Sequence, residues 1–230
     1  MDGLVEFFQQ GGPYMLVNLL FVVLSLAVVV ERFYSLFLRY GMSEKPFIAA
    51  VDRYLQAGNI EAAAKVCATS PAPALSRATR NMLKLMRNGY ESPVMAVEES
   101  LMEVRPMVMA RVPWLWSIAN IATLVGLIGT ISGLINSFRA VAVVAADQKA
   151  AALANGISEA MNNTFFGLSI AVFCIFMHLI LNNQASKIVE RAEHALFHFV
   201  NVHAQWRKGY RPPEGGSGGG DKSQPSAGAR

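Results

Sequence analysis

Gly126-Leu-Ile-Gly129-Thr130-Ile-Ser-Gly133-Leu-Ile-Asn-Ser137-Phe138 sits in an uncharged run from Val112 to Phe138 and places small and hydroxyl residues where a lipid-facing helix would carry bulk. Ala119, Thr123, Gly126, Thr130, Gly133 and Ser137 follow one another at three or four residues. An α-helix therefore gathers them on one side and leaves Ile, Leu and Val on the other. Gly129 and Gly133 add the small-xxx-small spacing through which two backbones approach closely in a bilayer. The pattern predicts a membrane helix built to pack as well as to span.

Two more uncharged runs, Phe7 to Val30 with its apolar core from Pro13 onward, and Ala160 to Ser186, are each long enough to cross a hydrocarbon core, which takes ~20 helical residues. Three such runs in 230 residues, 53% of them hydrophobic, predict an all-α integral membrane protein with three transmembrane helices. The net charge of +4 is then no signal for nucleic acid. Lys and Arg fall in two blocks, 11 between Arg32 and Arg111 and seven from Lys187 onward, with only Arg139 and Lys149 between the second and third runs. The positive-inside rule places both blocks in the cytoplasm and the N-terminus outside. Trp114 and Trp116, just after Arg111, suit the inner headgroup level. The first run lacks a basic n-region and ends in Glu31-Arg32, so it is expected to remain as a span and not to be cleaved as a signal peptide.

The expected layout is a periplasmic N-terminus over 1–12, spans over 13–30, 112–138 and 159–183, and a helical cytoplasmic domain over 31–111. A periplasmic loop with helix extensions covers 139–158, a cytoplasmic helix 184–208 and a disordered tail 209–230, whose Pro, Gly and Ser cannot bury a core. Within the cytoplasmic domain, Lys45-Pro46 starts a helix that Gly58-Asn59 ends, and Ile60 to Ala68 forms another before Ser70-Pro-Ala-Pro73 breaks it. Ala74 to Arg87 follows, stopped by Asn88-Gly89. Ser92-Pro93 gives an N-cap and a first-turn proline for a helix running through Glu98, Glu99 and Glu103 to the membrane, with Pro106 and Pro113 as kinks. On the last helix, Ile188, Ala192, Ala195, Phe199 and Val202 form a face that needs a partner in this chain or another.

The third run mirrors the second: Gly156, Ala160, Thr164, Gly167, Ala171, Cys174 and His178 form a small and polar stripe. Two such stripes on consecutive antiparallel helices can face each other or a shared cavity. Glu159 is the acid nearest the stripe, and Asn162 and Asn163 add amides. Taken singly, Thr130 or Thr164 is explained by bonding to the carbonyl four residues earlier. Both together, on Gly-lined faces of adjacent spans, point to an ion pathway. The candidate pathway residues are Thr130, Thr164, Glu159, Asn163, Thr123, Ser137 and His178, with Gly126, Gly129, Gly133 and Gly167 packing the helices. His178 lies about 21 Å along the helix from Thr164, at ~1.5 Å per residue. It would either relay protons, at an ordinary pKa of ~6.5, or cap a helix-end carbonyl. No Asp, Glu, Lys or Arg lies within the second or third run, so a midplane carboxylate must come from another polypeptide. Cys67 and Cys174 have no neighbours at metal-ligand spacing, and His194 and His198, at i and i+4, lack a third ligand. No catalytic arrangement, cofactor or metal set is expected, and the chain reads as no enzyme.

At these residues the chain resembles the ExbB/TolQ/MotA family of ion-channel motor subunits, in its ExbB and TolQ branch. The resemblance rests on 126–138, on Gly-Ile-Ser-Glu-Ala-Met-Asn-Asn-Thr-Phe-Phe-Gly-Leu at 156–168, on Glu31-Arg32 closing the first span, and on Ala57 to Cys67 followed by Ser70-Pro71. It implies a homopentamer in a bacterial inner membrane, whose second and third spans line a pore around two copies of a single-span ExbD- or TolR-like partner carrying a membrane Asp. Thr130 and Thr164 would face that pore, with Glu159 at its outer end. The implied function is conversion of the proton motive force into movement of the partner for uptake, envelope integrity or gliding. Two departures stand out: the family's later proline is missing from Leu168 to Ile175, and Asn162 and Asn163 replace residues that are usually small or apolar. The alternatives are a non-conducting scaffold that oligomerises through the same glycines, and a sodium-coupled stator using Thr and Asn oxygens.

Overall fold

The computed structural model describes residues 12–40, 44–70, 73–90, 92–207 and 209. The expected N-terminal segment and disordered tail therefore lie, apart from Gly12 and Gly209, outside the described residues. The first helix, α1 (Gly12–Phe33), buries Met15, Asn18, Ser25, Val29 and Arg32 at helical spacing. Its other face, with Leu16, Leu20, Val23 and Val30, is exposed and apolar. The helix does not stop at Val30 or at Glu31-Arg32. It passes into a π-helical segment, Tyr34–Arg39, where Phe33 and Phe37 stack with ring centres 4.5 Å apart.

Five short helices follow, and their boundaries come from local chemistry. In α2 (Lys45–Gln56) Pro46 occupies the first turn, where its missing N–H costs nothing. Gly58, at φ +71°, lets the chain turn out of α2. Asn59 then caps α3 (Ile60–Thr69) by accepting the Ala62 N–H at 3.0 Å. After α4 (Pro73–Asn88), the stretch from Pro93 is three helices and not the single kinked one expected: α5 (Pro93–Leu101), α6 (Val104–Met109) and α7 (Val112–Val143). Proline clashes with the carbonyl four residues before it. For Pro106 that carbonyl belongs to Met102, just past the end of α5. For Pro113 it belongs to Met109, the last residue of α6. Arg111 turns the chain in the left-handed region, at φ 59°, and Pro113 falls in the first turn of α7.

A short turn leads to α8 (Lys149–Arg207), a continuous helix of 59 residues, about 90 Å long at ~1.5 Å per residue. The helix runs unbroken through Leu168 to Ile175, which contains no proline. The first half of α8 lies along α7 and α1, around a small core of Ile118, Ala119, Ala122, Ile170, Ala171 and Cys174. The second half supplies the main core, in which Ile188, Ala192, Ala195 and Phe199 are buried among α2 to α6. The partner that this face required is thus in the same chain. Three helices, α1 with its extension, α7 and α8, are long and apolar enough to cross a membrane. With no strand among the described residues, the fold is that of an all-α membrane protein.

Candidate functional site

The two small-residue stripes face each other. A methyl group on Gly126 would come within 3.0 Å of the Asn163 carbonyl oxygen, one on Gly133 within 2.9 Å of Ala160 Cβ, and one on Gly167 within 2.7 Å of the Ala122 carbonyl oxygen. At Gly129 it would meet Asn163 Cβ at 3.0 Å and Tyr14 Cβ at 3.2 Å. Ascending numbers on α7 meet descending numbers on α8, as an antiparallel hairpin requires. The α1 contacts, Tyr14 beside Gly129 and Asn18 beside Gly167, show α1 running parallel to α8. Backbone-to-backbone approach of this kind is possible only without side chains on the facing positions.

That closeness brings hydroxyls together. Thr130 and Thr164 hydrogen-bond directly across the hairpin. Thr130 Oγ1 also lies 3.1 Å from the Gly126 carbonyl and 3.4 Å from that of Ala160, while Thr164 Oγ1 lies 3.3 Å from the Gly126 carbonyl. A hydroxyl donates one proton. Two protons are therefore shared among more acceptors than they can serve at once, and the pair can exchange partners without moving a helix. Thr123 and Ser137, by contrast, donate to the carbonyls of Ala119 and Gly133 four residues earlier, at 3.0 Å and 2.7 Å. Local back-bonding accounts for those two residues, but not for Thr164, whose carbonyl contact is on the opposite helix.

Toward the α7–α8 turn the hairpin opens into a cleft of 570 Å³ lined by Asn136, Ser137, Asn155, Gly156, Ser158 and Glu159. Glu159 is exposed there, one turn beyond the threonine pair. Asn163 is buried against Gly129, with its Oδ1 unpartnered and its Nδ2 3.5 Å from the Glu159 carbonyl. His178 lies toward the other end. Its Nδ1 is 3.0 Å from the Val112 carbonyl and its ring 6.0 Å from that of Trp116. A carbonyl only accepts, so Nδ1 carries the proton in this contact. The structure thus groups Thr130, Thr164 and Asn163 with Gly126, Gly129, Gly133 and Gly167. Ser137 and Glu159 share the cleft, and Thr123 and His178 lie apart. His194 and His198 turn to different acids, Glu190 at 3.9 Å and Asp52 of α2 at 2.8 Å.

Two features escaped sequence reading. Asn18 is fully buried where α1 meets the hairpin, and neither atom of its amide has a partner among the described residues. Its sequence signal was an amide four residues after Tyr14 and seven before Ser25, a polar line through an apolar run. The second is Glu31, which accepts from Arg32 at 3.0 Å and from Arg111, fastening the end of α1 to the start of α7. Both residues stand at the edges of uncharged runs, which was the available clue.

Residues 71–194, more than half of the chain, match the MotA/TolQ/ExbB proton channel family. The match runs from just before α4 through the hairpin and into the second half of α8. The chain is similar to biopolymer transport protein exbB1 of Vibrio cholerae, at 36% identity over 92 residues, which cover 40% of this chain and 39% of that protein. It is also similar to the putative biopolymer transport protein ExbB-like 1 of Synechocystis, at 28% identity over 193 residues, 80% of this chain and 72% of that one.

Proposed function

The chain belongs to the MotA/TolQ/ExbB proton channel family, and from that premise we propose that it is the ring-forming subunit of a proton-driven motor in a bacterial inner membrane. In this reading five copies surround two single-span ExbD- or TolR-like helices, and α2 to α6 with the second half of α8 lie in the cytoplasm. The observation that carries it is the Thr130–Thr164 pair, set in a stretch of two helices without Asp, Glu, Lys or Arg and opening toward the cleft that holds Glu159. Hydroxyls that exchange partners can pass a proton, but they do not store one near neutral pH. The titrating carboxylate must then come from the partner. A potential of 100 mV supplies about 2.3 kcal/mol per charge, so successive protons can drive repeated steps of the enclosed helices.

The scaffold alternative required the glycines to join neighbouring copies. Their closest contacts are instead within the chain, which leaves the exposed apolar residues Phe165, Val172, Phe176 and Leu179 of α8 as the surface for neighbours and lipid. The test is proton flux into vesicles containing the protein co-purified with a single-span partner. Flux is expected only with both components and a partner carboxylate. Equal flux after the partner's membrane Asp is changed to Asn would refute the division of labour.

A further inference from the structure

Beyond the end of α1, far from the threonine pair, lies a cleft of 260 Å³. It is lined by Tyr40, at the end of the π-helical segment, Cys67 of α3, Ser76, Arg77 and Arg80 of α4, and Met107 of α6. Arg77 and Arg80 are three residues apart on one face of α4, where Lys84 and Arg87 continue an exposed basic line. Among the described residues no carboxylate pairs with either arginine, and none lines the cleft. The side-chain contact recorded for Arg77 is a weak one, to the Met107 sulfur at 3.4 Å.

A basic line on a helix is usually a solvated face, and that would describe Lys84 and Arg87. Tyr40 distinguishes the cleft. It lines the opening, and although the residue is only 7% exposed overall, its hydroxyl is not one of the buried unpartnered atoms and stays accessible. Cys67 adds no negative charge: its thiol donates to the Ala63 carbonyl at 3.3 Å, and burial pushes its pKa up to about 11. The neighbouring cleft of 460 Å³ is different, since its Arg105 shares the space with Glu98 and Glu193. That arginine has built-in counter-charges, whereas Arg77 and Arg80 do not.

We propose that the cleft between Tyr40, Arg77 and Arg80 binds a phosphate group, carried either by an inner-leaflet phospholipid or by a soluble phosphate compound. Guanidinium forks match phosphate oxygens in pairs, and the tyrosine hydroxyl supplies a further donor. The lipid source rests on the reading above that α1 crosses the membrane, which leaves Tyr40 at the inner headgroup level. The soluble source does not depend on it.

The assembled protein is compared with Arg77→Gln/Arg80→Gln, with Tyr40→Phe, and with Arg87→Gln as a control. Native mass spectrometry reads retained phospholipid, and thermal melting reads stabilisation by inorganic phosphate over chloride at equal ionic strength. The double variant is expected to bind roughly tenfold more weakly or worse, Tyr40→Phe to lose part of the affinity, and the control to match the parent. Phospholipid lost only from the cleft variants identifies a lipid phosphate. Phosphate-specific stabilisation lost with unchanged lipid identifies a soluble one. Parent and double variant alike in both measurements, with equal melting in chloride, overturn the proposal. Side-specific labelling of single cysteines tests the membrane topology separately, so the two readings fail independently.

Discussion

The two halves of α8 are held by different chemistry. In the first half its buried positions are mostly small or polar, Ala160, Asn163, Gly167, Ala171 and Cys174, and they meet a glycine-lined helix at backbone distance. In the second half lie the large side chains of α8 that are fully buried, Leu181, Ile188, Leu196 and Phe199. The contrast is the one that separates packing among lipid tails from packing in water. Among lipid tails, burying a leucine against protein gains little, because the alternative is equally apolar, and close packing with hydrogen bonds must hold helices together. In water the same burial is worth ~1.5–3 kcal/mol per side chain, and large residues repay their use. One helix therefore carries two kinds of packing, which change over between Cys174 and Leu181.

The sharpest break of that contrast is Gly167→Leu. A side chain there runs into the Ala122 carbonyl, which is backbone and cannot swing away. The hairpin should separate, and properly assembled protein should be absent from detergent extracts on size-exclusion chromatography. Normal yield and elution would refute the packing account. In the second half, Phe199→Ala leaves the hairpin intact and opens a cavity in a water-facing core. The expected cost is about 3–5 kcal/mol, read as a lower melting temperature with protein still inserted. If Phe199→Ala destabilises no more than a surface substitution, the second half is not packed by hydrophobic burial.

A subtler change sharpens the functional side. Thr164→Val keeps the shape of the side chain and removes its hydroxyl, together with the cross-helix bonds to Thr130 and Gly126. Interhelical polar contacts in membranes are modest, so stability should change by no more than about 1 kcal/mol. Proton flux with the partner present should fall to background. Parental flux at normal protein level would remove the pair from the ion pathway.

Much of this contrast was legible in the sequence. The uncharged runs give the three long helices, and the spacing of Gly126, Thr130 and Gly133 gives their common face. Gly58 and Pro73 mark breaks where the chain does turn. Periodicity, however, names a face and not the surface that meets it. That the two stripes close on each other, and do not line a wide gap or join separate copies, appears only when Gly133 is seen against Ala160. Asn18 was hidden because one amide barely alters the hydropathy of α1, although an amide buried among helices carries a substantial desolvation cost. The Glu31–Arg111 pair was hidden by its separation along the chain, since nothing local links the two residues. Pro106 was recognised as a disturbance, but its strength depends on the Met102 carbonyl having somewhere else to go.

The smallest expected effect lies at the seam between the halves, at His178. Its Nδ1 donates to the Val112 carbonyl at the start of α7, and that contact alone explains a polar ring near a helix end. A relay would require the other nitrogen, Nε2, to take up and release protons on each cycle. Glutamine separates the roles, because its amide donates a hydrogen bond but does not titrate near neutral pH. If the histidine is a cap, His178→Gln should keep parental flux across the pH range, and His178→Phe should lose only the hydrogen bond, about 1 kcal/mol. If flux in His178→Gln instead falls, and falls most at high cytoplasmic pH, the histidine carries protons. The ion pathway would then extend from the threonine pair to the point where α8 leaves the lipid.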